Sequence, residues 1–287
     1  MKYPNIIMAK DLIDLLIRQL KKEVESKDIY KYIIEYQKKV NDRFLHVYNS
    51  LPDYSLMPDY YLLMSKNICA ETTMLKHKNH YLSTLKIINK LAEQYKGQVK
   101  RQKEQKVKNQ LKKEFLGRAN SAIKKLEATN KQLIEYKKYF ERIPNPKDLF
   151  TIILIGVPNS GKTTLLTQLT SANPEINSYS FTTKSLNIGY FKIREKEIQV
   201  VDTPGLIHME FRDMNLIEKQ TVVAIKTISD VILFLYNQYQ GFEEQEKMFL
   251  KIRDENKDKK MFAYPSFGGE MKGYPNVTFE QIKNIDF

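Results

Sequence analysis

Gly156, Gly161, Lys162 and Thr163 stand in the order G-x4-G-K-[ST] within "GVPNSGKTTLL", directly after the apolar run "LFTIILI". Glycines in such a loop let consecutive backbone N–H groups turn onto phosphate oxygens, and a helix that follows adds the positive end of its dipole. The Lys162 ammonium is then the expected partner of the β and γ phosphates, and the Thr163 hydroxyl a ligand of magnesium. Pro158, Asn159, Ser160 and Thr164 complete the cradle. A bare glycine turn capping a helix would account for the loop alone, but the strand before it and the helix after it favour phosphate. Further on, "DTPG" places Asp202 at the end of a second apolar run, where a carboxylate holds magnesium directly or through water. Gly205 has no side chain to block its N–H from the γ phosphate. Between the two motifs, "SFTTKSLNIGYF" offers Thr183, with Thr182 in reserve, to complete the magnesium shell. The expected metal set is Thr163, Thr183 and Asp202, and the expected catalytic set Lys162, Thr183 and Gly205.

Two kinds of element must hold these residues. From Leu149 onward, short apolar runs read as buried strands: "LFTIILI", "SLNIGYFKI" and "EIQVVD" joined by a polar "REK" turn, then "VILFLY" and "KMFAY". Helical stretches lie between them, so this half reads as an α/β, doubly wound P-loop domain with a mainly parallel sheet. Before Leu149 the period is helical. Ile13, Leu16, Ile17, Leu20 and Val24 make one stripe, and Ile29, Ile33, Tyr36, Val40, Phe44 and Val47 a second. Leu75, Leu82, Leu85, Ile88 and Leu91 make a third, followed by Leu111 and Phe115, then Ile123, Leu126, Leu133 and Phe140. Pro52 and Pro58 interrupt the pattern. Such stripes need partners, and an antiparallel helical bundle is the simplest arrangement. The expected division is a bundle over residues 1–148, closed by the linker "IPNPKD", and a P-loop domain over 149–287.

The chain has 287 residues, 42% of them apolar, enough for two packed cores. No apolar run approaches the roughly 20 residues needed to cross a bilayer, so no membrane partner is expected. Cys69 stands alone, which excludes an internal disulfide, and no signal segment opens the chain; a cytoplasmic place is expected. The net charge of +13 is unevenly placed, since residues 1–148 hold 31 Lys/Arg against 17 Asp/Glu and residues 149–287 hold 16 against 17. A basic first half favours a polyanionic partner, most simply nucleic acid, because neutralising phosphates releases counterions. Solvated helix faces would account for the same charge.

Taken together, these segments resemble the nucleolar GTP-binding proteins of the Nog type, relatives of the Obg GTPases. "GVPNSGKTT" is similar to their phosphate loop, "FTTKSLNIGYF" to their first switch and "VVDTPGLI" to their second. "FLGRANSAIKKL" resembles the end of their helical domain, and "RDMNLIEKQTVVAIKTISDVILFLY" the segment after the second switch. The resemblance implies a monomeric switch that binds GTP and GDP with Mg2+, joins the assembling large ribosomal subunit, and lays its bundle on ribosomal RNA. Arg101, Lys108, Lys112 and Arg118 are the expected phosphate contacts, within a segment from Lys96 to Arg142 that carries 15 Lys/Arg against 5 Asp/Glu. Asn159 occupies the position where potassium-stimulated relatives hold a monovalent cation, so K+ is a second expected cofactor; shaping the loop is its alternative role. Leu206 follows Gly205 where many small GTPases place a water-orienting glutamine, which predicts slow intrinsic hydrolysis. His208 is read as a solvated loop residue.

One family motif is missing. The Asn-Lys-x-Asp that reads guanine should follow "KKMFAY", and "PSFGGEM" stands there instead. The family's longer C-terminal extension is absent too, so the P-loop domain reads as shortened. Three readings stay open: a GTPase with relaxed base recognition, a non-hydrolysing RNA-binding assembly scaffold with a residual phosphate site, and an ATPase.

Overall fold

A computed structural model describes residues 3–24, 28–170, 186–208 and 210–283. The chain forms two compact units, one of Met1–Leu56 with Ile68–Glu141, the other of Met57–Asn67 with Arg142–Phe287.

The first unit contains α1 (Ala9–Glu23), α2 (Ile29–Ser50), then, after α3 (Asp59–Ile68), α4 (Glu71–Arg101), α5 (Gln105–Lys124) and α6 (Glu127–Phe140). Short connections, as between α4 and α5, turn neighbouring helices antiparallel. The α1 stripe is buried at Leu12, Ile13, Leu16 and Leu20, and the α2 stripe at Ile33, Tyr36, Val40, Phe44 and Val47. In α4 the buried set is Met74, His77, Lys78, Tyr81, Thr84, Leu85, Ile88, Ala92, Tyr95 and Val99, while Leu75 is 50% exposed. The stripe expected through Leu75, Leu82 and Leu91 is therefore displaced around the helix. The reason is that tyrosines and a histidine, amphipathic in composition, do the packing. Phe115 of α5 has no exposed surface, and its ring centroid lies 5.3 Å from that of Tyr36 and 5.8 Å from that of Tyr95. Two of the buried hydroxyls find side-chain partners: Tyr36 donates to Asn120 Oδ1 at 2.8 Å and Tyr81 to Asn130 Oδ1 at 2.7 Å. Asn130 Nδ2 in turn donates to Ile7 O at 2.8 Å, and Ala9 N donates to Glu127 Oε2 at 2.9 Å, so α6 caps the start of α1.

The second unit is built on a five-stranded sheet of order β2-β3-β1-β4-β5, comprising β1 (Thr151–Ile155), β2 (Asn187–Ile193), β3 (Lys196–Asp202), β4 (Val231–Tyr236) and β5 (Lys260–Pro265). β2 and β3 pair antiparallel and the other pairs run parallel. All five β1 residues are buried, because both faces are covered. One face packs on Leu165, Leu166 and Leu169 of α7 (Lys162–Thr170). The other packs on α8 (Leu216–Ile228) and α9 (Phe242–Glu255), and on Tyr60 and Met64 of α3. Helix α3, which precedes the expected boundary by many residues, thus belongs to this core. The segment expected to be a linker is also fastened here: Ile143 packs against the core, and Lys147 N donates to Gln199 Oε1 at 2.8 Å. A short helix α10 (Phe279–Lys283) ends the described residues.

Phe115→Ala removes the ring on which the tyrosines of α2 and α4 converge. It is expected to cost about 3–5 kcal/mol, read as a lowered urea midpoint for the full chain by circular dichroism.

Candidate functional site

The phosphate loop leaves β1 at Gly156 and enters α7 at Lys162. Gly156 has a φ of 146°, and a Cβ there would stand 2.2 Å from Leu235 O. Asn159 takes the left-handed conformation at φ 61°, which asparagine tolerates better than other side chains that carry a Cβ. This supplies a backbone reason for Asn159 whatever else it holds. Lys162 is only 6% exposed and turns its ammonium back onto the loop, donating to Val157 O at 2.7 Å, Gly156 O at 3.2 Å and Ser160 Oγ at 3.2 Å. All three of its donors are thus engaged by loop acceptors that phosphate oxygens can replace. Burial pulls its pKa down to about 8, against the opposing attraction of Asp202. Thr164 and Pro158 are exposed beside it.

Asp202 ends β3, in register with Leu154 on one side and Asn187 on the other. Its carboxylate has no exposed surface, so burial pushes its pKa up, opposed by hydrogen bonds and by Lys162. Oδ2 accepts from Thr163 Oγ1 at 2.7 Å and from Asn187 Nδ2 at 3.3 Å. Oδ1 is buried without a hydrogen-bond partner among the described residues. A buried, unsatisfied carboxylate oxygen beside a threonine hydroxyl is costly by itself and suits a hard divalent cation with oxygen ligands. Thr163 and Asp202 therefore fit magnesium. Thr182 and Thr183 lie outside the described residues.

Gly205 touches the phosphate loop, since a Cβ there would stand 2.5 Å from Pro158 N. The next N–H, of Leu206, donates to Gly156 O at 3.1 Å, and the Leu206 side chain is 2% exposed in the core. The loop beyond is held by Glu218 on α8. Its Oε1 accepts from Ile207 N at 2.8 Å and His208 N at 3.0 Å, and its Oε2 from Asn215 N at 3.1 Å and the His208 ring at 3.0 Å. His208, expected in solvent, is exposed, and its ring is also tied to this carboxylate. Burial alone would raise the Glu218 pKa, but the hydrogen bonds from His208, Ile207 and Asn215 outweigh it and hold the carboxyl at about 2.

Neither Asn187 nor Glu218 was singled out from the sequence. Glu218 had a local signal, because Asn215 and Glu218 form a capping box at the start of α8. Asn187 had none; only the β2–β3 register brings it to Asp202. Of the basic candidates, Arg101 ends α4 and Lys108, Lys112 and Arg118 lie on α5. Arg101 and Arg118 are exposed. Lys112 is partly withdrawn, with its ammonium 3.5 Å from the centre of the Tyr32 ring and its pKa lowered by burial.

A mainly parallel sheet with a glycine-flanked phosphate loop, an in-register strand-end aspartate and a glycine lying on that loop defines a P-loop GTPase domain. A family model described as a 50S ribosome-binding GTPase matches residues 151–264, and one described as the NOG1 N-terminal helical domain matches residues 2–145. The chain belongs to the NOG1 family of GTP-binding proteins. It is 29% identical over 270 residues to an uncharacterised protein of Methanocaldococcus jannaschii, covering 88% of this chain and 76% of that one. It is 27% identical over 276 residues to nucleolar GTP-binding protein 1 of Saccharomyces cerevisiae, covering 87% of this chain and 41% of the yeast protein. The protein of the same name from Encephalitozoon cuniculi is 36% identical over 145 residues, 49% of this chain and 27% of its own length. This chain therefore spans less than half of the nucleolar relatives it matches. Among solved structures, a Plasmodium falciparum chain assigned as nucleolar GTP-binding protein 1 overlaps 43% of this chain and 63% of its own, at 27% identity and a TM-score of 0.35. The relatives' names correct the expected cytoplasmic place, pointing to the nucleolus instead. A lone cysteine could not make this distinction, because both compartments are reducing. Among the described residues no helix is long and apolar enough to cross a membrane.

The Glu218 carboxyl lies below its ordinary 4.5, so the stability it contributes is complete above that pH and is lost as pH falls through about 2. Glu218→Gln is expected to cost roughly 1–3 kcal/mol at neutral pH. Its difference from the parent chain should shrink between pH 4.5 and 2, measured by chemical denaturation across that range.

Proposed function

We propose that this chain hydrolyses GTP to GDP and phosphate and acts as a switch in large ribosomal subunit assembly, with its helical bundle resting on ribosomal RNA. The convergence of Lys162, Thr163 and the half-satisfied Asp202 carries the reading. Bound magnesium would supply positive charge to the β and γ phosphates, held by Thr163 and Asp202, with Thr183 completing its shell. Lys162 exchanges the loop carbonyls for phosphate oxygens, and its charged form, weakened by burial, is restored by them. The Gly205 N–H meets the γ phosphate, and loss of that phosphate releases the second switch. Asn159 would hold K+ near the phosphates. The free protein is monomeric.

Intrinsic turnover is slow in this reading, because the side chain after Gly205 is a buried leucine and the His208 ring is engaged by Glu218. That same observation favours a second reading, a scaffold that binds nucleotide without hydrolysing it. The ribosomal role is supported by the description of the family model and by the names of the relatives. The RNA contact is supported by the excess of 31 Lys/Arg over 17 Asp/Glu in residues 1–148.

Phosphate release from GTP should require magnesium and run faster in potassium than in sodium. Lys162→Ala should slow it about 100-fold; turnover untouched by that change would remove the hydrolytic reading, and the absence of turnover in the parent chain would leave the scaffold. Binding of the full chain to ribosomal RNA should weaken as salt rises. Replacing Arg101, Lys108 and Arg118 together with alanine should flatten that salt dependence, by about one unit of slope for each phosphate no longer neutralised.

A further inference from the structure

The loop after β5 runs Ser266, Phe267, Gly268, Gly269, Glu270 and Met271, and it is anchored beside the phosphate loop. Ser266 Oγ donates to Ser160 O at 2.5 Å, and a Cβ on Gly161 would meet Ser266 at 3.3 Å. A nucleoside whose phosphates lie on Lys162 extends into the crevice outside the carboxyl ends of these strands, where this loop and the one after β4 stand. Phe267, next to the anchor, is 51% exposed. Gln238, in the loop after β4, is exposed and lies across Gly269: a Cβ built on Gly269 would stand 2.3 Å from Gln238 Oε1. Gly269 also has a φ of 87°. The left-handed backbone at position 269 disfavours a side chain there, and one could enter only with the exposed end of Gln238 moved aside. Glu270, the one carboxylate between Ser266 and Met271, is exposed.

The chemistry of the two side chains is informative. Guanine presents two neighbouring donors on its pairing edge, N1–H and the N2 amino group, whereas adenine presents an acceptor at N1 beside the N6 amino donor. A carboxylate only accepts, so it matches guanine and opposes adenine. A primary amide carries an acceptor and donors on one rigid group, and half a turn about its last bond presents either. An aromatic face stacks on any purine.

We propose that the base subsite takes purine nucleoside triphosphates without choosing guanine over adenine, the base stacking on Phe267 while the Gln238 amide reads its edge in either orientation. This rests on the nucleotide-binding reading above and adds the class of substrate that the site accepts.

The test is calorimetric titration of the full chain, with magnesium, against the non-hydrolysable β,γ-imido analogues of GTP and ATP. The two dissociation constants should agree within about tenfold, 1.4 kcal/mol. A larger guanine preference overturns the base proposal and leaves the phosphate site standing. Binding of neither analogue overturns the phosphate site itself, and the base proposal with it. Gln238→Glu, at an exposed position, turns the reader into an acceptor only, and the affinity ratio should move toward guanine by about tenfold; an unmoved ratio overturns the role of Gln238. Phe267→Ala should weaken both analogues about tenfold with the ratio held, and unaltered binding overturns the stacking.

Discussion

The second unit is organised around one costly group, the carboxylate of Asp202, which has no exposed surface. Removing a carboxylate from water is tolerated only where hydrogen bonds and opposite charge compensate. Here the compensation comes from two separate parts of the chain: Lys162 and Thr163 at the start of α7, and Asn187 at the start of β2. Each depends on the sheet register. Shifting β2 by one residue against β3 would turn Asn187 to the other face, and a longer phosphate loop would carry Thr163 away. The compensation is also incomplete, because Oδ1 keeps no partner among the described residues. The fold thus keeps a half-satisfied buried carboxylate at some cost to its own stability, and the apolar layers on both faces of the sheet offset that cost.

A second buried carboxylate works in the opposite sense. Glu218 is fully engaged, with backbone N–H groups of Ile207, His208 and Asn215 pointing at it, and it holds the loop after Gly205 to the start of α8. Leu206 drops into the core between these two anchors. The segment after β3 is therefore fixed at two points by different physics: steric contact of Gly205 with Pro158 on one side, charge-assisted hydrogen bonds on the other. In the helical unit most of the comparable devices are neutral, the Glu127 carboxylate at the start of α1 apart. Tyrosines fill the core, asparagines receive their hydroxyls, and the basic side chains remain mostly on the outer faces.

Much of this was legible in the chain. G-x4-G-K-[ST] after an apolar run specifies a strand, a turn and a helix at once, and the β1, β4 and β5 runs emerge within one or two residues of their expected bounds. Apolar periodicity recovered α1 and α2. It misplaced the buried face of α4, because Tyr81, Tyr95 and His77 are ambiguous in a polar/apolar reading and only their neighbours settle which way they face. It could not assign α3 to the second core, since a stripe says that a helix needs a partner without saying which. The neighbour of position 269 was likewise invisible, because the missing carboxylate can be read in a sequence and Gln238 lying against Gly269 cannot.

The amino-acid sequence by itself determined which groups are available for chemistry: a lysine and threonine after a glycine turn, an aspartate at a strand end, a leucine where a water-orienting side chain is common, and no acid in the tetrad after β5. These are local facts, set by residue type and by spacings shorter than a helix. Only the tertiary structure decided how those groups are poised, since pKa, hydrogen-bond satisfaction and steric room are properties of an environment assembled from distant segments. Burial lowers Lys162 and raises Asp202, and the β2–β3 hairpin brings Asn187 to the carboxylate. The crossover from β4 to β5 sets an amide where the sequence shows only a glycine.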